Sequence, residues 1–191
     1  MKVVLITGLM RSGTSLAAAI VHRLGFAVAT WIPAPAPPAW RSDWEDPFLT
    51  QKLMARRKID WDAYILERKA AASVLGFKGI CIKSPYLALY LPELRPRADF
   101  LLVTEREDKE IEQSMARYPQ LSLEDQDEIR SALDGVRPDR TFGLEWARMC
   151  PALEVAQLAK YLGVENDYAA IEAATKIIEP MEATCPQSSP R

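Results

Sequence analysis

The chain is expected to fold as a three-layer α/β/α domain around a central parallel sheet, and three observations lead there. Short aliphatic runs of strand length alternate along the chain with segments of helical periodicity, the order that crossover helices impose on parallel strands. The first run, Val3-Val4-Leu5-Ile6-Thr7, is apolar on both faces and ends at Gly8, as a buried parallel strand does. Directly after it, Gly8-Leu9-Met10-Arg11-Ser12-Gly13-Thr14-Ser15 sets two glycines five apart with a hydroxyl pair behind the second. That is the spacing of a phosphate-binding loop between a strand and a helix. Gly13 lets backbone approach an anion, and successive N–H groups with the positive end of the next helix attract it.

The helix is expected over Thr14 to Leu24, with Leu16, Ala19, Ile20 and Leu24 on one face and Gly25 as its stop. His22, the only histidine, falls off that face and is expected in solvent. Phe26 to Thr30 reads as a second strand. Trp31 to Trp44 then alternates Pro and Ala in a segment that cannot sustain a sheet ladder. Four of the five tryptophans, Trp31, Trp40, Trp44 and Trp61, lie in or near it. They either pin this loop to the domain or wall an acceptor lid. In Glu45-Asp46-Pro47, Asp46 has the position of an N-cap for a helix from Phe48 to Arg57.

A further helix is expected from Asp60 to Leu75, then a strand, Lys78 to Lys83, whose Lys83 emerges at the carboxyl end, where open parallel sheets bind ligands. Leu87 to Leu94 reads as a short helix and Asp99 to Thr104 as a strand. Arg106 follows its exit, and Ser114, eight residues on, lies two turns along a helix expected over Glu107 to Tyr118. Leu121 to Leu133 reads as a solvated acidic helix, Arg137 to Arg140 as a surface turn and Thr141 to Trp146 as a last strand. Leu153 to Leu162 is expected to be a helix with Leu153, Ala156 and Leu158 on its apolar side. One domain over 1–179 is expected, with a poorly ordered tail over 180–191.

The loop departs from a nucleotide kinase in one place. Such an enzyme needs a Lys directly after the second glycine to reach terminal phosphates, and Thr14 stands there. The missing Lys opposes a small-metabolite kinase using ATP and magnesium. A simpler alternative is a Gly-rich turn in which Ser12 or Thr14 caps an ordinary helix.

The positive charge sits inside the loop at Arg11, and Arg11-Ser12-Gly13-Thr14-Ser15 resembles the 5′-phosphosulfate loop of sulfotransferases. These enzymes take 3′-phosphoadenosine-5′-phosphosulfate (PAPS) as donor and release adenosine 3′,5′-bisphosphate (PAP). Lys83-Ser84-Pro85 resembles their K-[ST]-P signature, and Arg106 with Ser114 resembles the pair that holds the donor's 3′-phosphate. The resemblance spans Met1 to Tyr118 by motif and Gly143 to Val164 by pattern. It implies a P-loop nucleoside triphosphate hydrolase-like, sulfotransferase fold and transfer of a sulfuryl group to a hydroxyl or amine of a small-molecule or glycan acceptor.

The resemblance also implies roles. Arg11, Ser12, Gly13, Thr14 and Ser15 would bind the donor's sulfate end and Arg106 and Ser114 its 3′-phosphate, with Arg11 and Lys83 catalytic. Glu45 is favoured over Asp46 as the base, and no metal is required. The family's Lys- and Gly-rich closing segment has no match after Val164, and Pro85 stands where one branch carries a histidine base. A non-catalytic nucleotide-binding relative is therefore a third reading.

Composition bounds these readings. A chain of 191 residues with 49% hydrophobic and 26% charged residues is ordinary for a globular protein. A net charge of -2 argues against a broad nucleic-acid surface, so an anion site must be local. Cys81, Cys150 and Cys185 are few and dispersed, which fits a reducing compartment. No apolar stretch reaches the roughly 18 residues that span a bilayer, and a cytoplasmic location is expected.

Overall fold

The computed structural model describes residues 1–28, 44–116 and 122–178, with the backbone alone at 145 and 146. The end of the second expected strand, the Pro-rich segment with Trp31 and Trp40, Tyr118 and the tail with Cys185 lie outside the described residues.

Among the described residues five strands, β1 (Lys2–Gly8), β2 (Phe26–Val28), β3 (Gly79–Lys83), β4 (Phe100–Glu105) and β5 (Arg140–Gly143), form one sheet in the order β2-β3-β1-β4-β5. Every neighbouring pair is parallel. Around them lie α1 (Thr14–Arg23), α2 (Pro47–Met54), α3 (Trp61–Val74), α4 (Leu91–Leu94), α5 (Asp108–Met115), α6 (Leu123–Leu133), α7 (Leu144–Met149), α8 (Pro151–Leu162) and α9 (Tyr168–Thr175). No helix of the described residues is long and apolar enough to cross a membrane.

Alternation along the strands divides the core into two layers. Val4, Ile6, Cys81, Leu102 and Phe142 pack with α1, α8 and α9, whereas Val3, Leu5, Ile80, Ile82, Leu101 and Val103 pack with α3, α4, α5 and α6. Burial raises the Cys81 thiol far above its ordinary pKa, so it behaves as an inert core residue. The chain leaves β1 toward β2 and β3 on one side and later builds β4 and β5 on the other. The reversal puts a crevice at the carboxyl ends of β1 and β4, and the glycine loop opens into it.

Several expectations are corrected. His22 is half-buried between the rings of Trp44 and Phe77, with Nδ1 3.1 Å from the Phe26 carbonyl oxygen. Burial lowers its pKa below the usual imidazole value. Leu87 to Leu94 divides into a 3₁₀ turn, Pro85–Tyr90, and the single-turn α4, because Pro92 lacks the N–H that a continuous helix would need. The last strand stops at Gly143, where α7 begins. In α8 the buried stripe is Val155, Leu158, Ala159 and Leu162, at helical spacing, and Leu153 is exposed. Glu154 is buried on that helix because Arg140 Nη2 donates to both its carboxylate oxygens at 2.9 Å. Arg140 therefore belongs to β5 and an ion pair, not to a surface turn. α9, which was not expected, packs against α1 and α8.

Asp46 caps α2 as expected and does more. Its Oδ1 accepts from the N–H groups of Phe48 (3.0 Å) and Leu49 (3.1 Å), and its Oδ2 from Tyr64 (3.0 Å) and Arg68 (2.7 Å). Burial, followed by the neighbouring Asp46 charge, raises the Tyr64 phenol far above its ordinary pKa, so it stays a donor. Asp46→Asn keeps one capping oxygen and removes the charge opposite Arg68. We expect a stability loss of about 1–2 kcal/mol, measured by urea unfolding; an unchanged midpoint would remove the ion pair from the account.

Candidate functional site

The glycine loop is shaped by contacts that no local pattern specifies. Gly8 has φ 152°, and a Cβ there would lie 2.3 Å from Thr104 Oγ1. Strand β4 thus passes directly against the start of the loop. Arg11 has φ 69° and Gly13 φ 104°, so two left-handed residues fold the backbone back on itself. Gly13 occupies the N-cap position of α1, and no side chain caps the helix. Neither Ser12 nor Thr14 acts as a cap. Ser12 Oγ instead donates to the Leu9 carbonyl and lies 2.6 Å from Thr104 Oγ1, which ties the loop to β4.

Helix α6 holds the loop from the other side. Gln126 is buried, with its Oε1 accepting from Met10 N–H at 2.9 Å and its Nε2 donating to the Met10 carbonyl at 3.4 Å. One amide side chain therefore satisfies both polar groups of a buried loop residue. The acidic helix read as solvated is a support for the site, and Gln126 was missed. Its signal is spacing, since Ile129, three residues on, is the other buried side chain of α6.

On the β3 side, Lys83 is 4% exposed, so its charge is buried at the end of the strand and not solvated. Its Nζ lies 2.6 Å from Glu45 Oε1 and donates to Ser15 Oγ at 3.1 Å. Thr50 Oγ1 donates to Glu45 Oε2 at 3.0 Å. Three predicted site residues, Ser15, Lys83 and Glu45, thus meet at the carboxyl end of β3. Asp46 is taken up by α2 and α3, whereas Glu45 pairs with the lysine that also contacts Ser15, so of the two acids Glu45 is the one linked to the loop.

On the β4 side, Arg11 Nε donates to Ser114 Oγ at 3.0 Å, and Arg106 Nη1 donates to the Arg11 carbonyl at 3.2 Å. Arg106 Nε also pairs with Glu110 at 2.5 Å. Ser114 therefore sits against Arg11, whereas the sequence reading placed it with Arg106. The loop, the β4 exit and α5 form one contiguous polar surface. Beside it, at the carboxyl ends of β4 and β5, opens a cavity of about 590 Å³ with Leu9, Ser12, Arg106, Ile111, Val136 and Leu144 among its walls.

This arrangement places guanidinium, ammonium and hydroxyl groups around a sharply turned backbone at a helix start. It is suited to receive negative charge. Among the described residues no group of three or more His, Cys, Asp or Glu side chains could hold a metal ion. No family model, no curated protein and no solved structure matches the chain.

Proposed function

We propose that the protein is a PAPS-dependent sulfotransferase of the P-loop type, acting on a hydroxyl or amine of a small-molecule or glycan acceptor. The single observation that carries this reading is the contact between two anion-binding elements far apart in sequence, through Arg106 to the Arg11 carbonyl and Arg11 to Ser114. A donor with phosphate at two positions needs both elements on one surface. The residues present fit such a donor: a glycine loop for the phosphosulfate, guanidinium groups for the 3′-phosphate, and beside them a cavity with both apolar and charged walls for the nucleoside.

PAPS, when bound, supplies the sulfuryl group. Glu45 takes the proton of the acceptor as the acceptor atom bonds to sulfur and the sulfur–phosphate oxygen bond breaks with its electron pair staying on that oxygen. Arg11, the amides from Gly13 to Ser15 and Lys83 stabilise the charge that collects there. No step in this scheme calls for a metal. The free thiols Cys81 and Cys150 fit a reducing compartment, and the proposed location is the cytoplasm.

Calorimetric titration with PAP, and separately with ATP and magnesium, tests the donor. Binding of PAP in preference to ATP supports the reading, and the reverse preference favours the kinase. Transfer from labelled PAPS across an acceptor panel tests turnover; tight PAP binding with no transfer would make the protein a binding module. Arg106→Ala is expected to weaken PAP binding by about 1.5–3 kcal/mol, the range for hydrogen bonds to charged groups. An unchanged affinity would take Arg106 out of the site.

A further inference from the structure

Three arginines from three separate elements converge on one turn of α5. Arg11 comes from the glycine loop, Arg106 from the exit of β4 and Arg148 from α7. Glu110 and Ser114 are four apart on α5 and so share a face. Ser114 takes Arg11 at 3.0 Å, while Glu110 Oε2 lies 2.5 Å from Arg106 Nε and 3.8 Å from Arg148 Nη1. One carboxylate thus stands between two guanidinium groups, with a third beside it.

Arg148 is poorly served by that arrangement. Its Nε is buried without a hydrogen-bond partner among the described residues, and its contact with Glu110 is at the long end of an ion pair. A carboxylate has two oxygens, and Glu110 spends its short contact on Arg106. A phosphate group carries three oxygens and meets guanidinium forks two donors at a time. It would satisfy what Glu110 leaves open. Among the described residues Glu110 is the only acid paired with Arg148, and Asp108, at the start of α5, pairs instead with Arg130 at 2.8 Å.

We infer that Glu110 occupies the position of a ligand phosphate in this three-arginine site, and that Arg148 is a phosphate-binding residue of it. Glu110 holds Arg106 and Arg148 together, and an entering phosphate displaces its carboxylate, which is one-third exposed and can turn to solvent. This rests on the donor reading only in naming the phosphate as part of PAP. Arg148 carries none of the sequence signals that marked Arg106, and it belongs to the part of the chain where the sulfotransferase motifs have run out.

The test titrates the full chain with PAP and, separately, with inorganic pyrophosphate, comparing wild type with Glu110→Gln, Arg148→Ala and Arg148→Lys. Glu172→Gln, which removes a carboxylate from an exposed pair on α9, controls for net charge. Glu110→Gln is expected to bind PAP at least fivefold more tightly, Arg148→Ala at least tenfold more weakly and Arg148→Lys in between, with Glu172→Gln unchanged. If wild type binds PAP and Arg148→Ala binds it within twofold as well, the inference is overturned and the donor reading stands. If PAP fails to bind but pyrophosphate binds in an Arg148-dependent way, the donor reading falls and the site stands. Absence of both interactions overturns both. Should Arg148→Ala not fold, Glu110→Gln decides alone, because weaker or unchanged binding would mean that Glu110 is not a placeholder.

Discussion

Lys83→Met is expected to slow sulfuryl transfer by about 10²–10³-fold, the loss typical when one preorganised donor to developing negative charge is removed. Lys83 touches both the loop, through Ser15, and the proposed base, Glu45. Methionine keeps the length and apolar stem of the buried side chain but contributes no charge. Glu45 is 24% exposed at its side chain, so water can take over part of the lost ion pair and the fold should survive. Steady-state transfer from labelled PAPS and a urea midpoint, read together, check both halves. If PAP affinity holds while kcat falls, the ammonium acts on the transition state; a parallel loss of affinity assigns it to donor binding. Transfer within twofold of wild type would put Lys83 outside the chemistry.

Gly8→Ala is expected to cost about 3 kcal/mol or more of stability and to abolish PAP binding. The added Cβ would meet Thr104 Oγ1 at 2.3 Å, the Thr104 carbonyl oxygen at 2.6 Å and Ser12 Oγ at 2.8 Å. Two of these groups form the hydroxyl pair that ties loop to strand, and the third belongs to the backbone of β4, where Gly8 and Thr104 are in register. Relief therefore requires opening the sheet at its centre. The φ of 152° adds backbone strain for any residue with a Cβ. Gly76→Ala is the matched comparison: its φ is 76°, but nothing lies within 4 Å of the added carbon. It should cost about 1 kcal/mol, from backbone conformation alone. Equal losses at the two positions in urea unfolding would show that crowding against Thr104 contributes nothing.

The elements legible in the sequence are those whose cause is local. Val3 to Thr7, Ile80 to Ile82 and Leu101 to Val103 announce buried strands by their own composition, and Asp46-Pro47 announces the start of α2. Misreadings occur where two local patterns are equally good. In α8 both the Leu153 and the Val155 stripes are apolar, and the second is buried together with Glu154, whose partner Arg140 lies on the last strand. α9, Tyr-Ala-Ala-Ile-Glu-Ala-Ala-Thr, is nearly apolar all round and offers no stripe to read. Gln126 looks like one more polar residue on an acidic helix until Met10, 116 positions away, is set against it.

By itself, then, the sequence determined a strand–loop–helix unit around Gly8 to Ser15 and the order of strands and helices as far as β5, but neither α7 nor α9. It also supplied the cations Arg11, Lys83 and Arg106 as candidates. Tertiary structure alone decided that Lys83 faces Glu45, that Arg11 rather than Arg106 holds Ser114, and that Gln126 and Arg148 join the surroundings of the loop. The reason is range. Periodicity and capping report what a residue does with neighbours a few positions away, whereas a buried charge or amide takes its partner from whichever element the sheet order brings beside it.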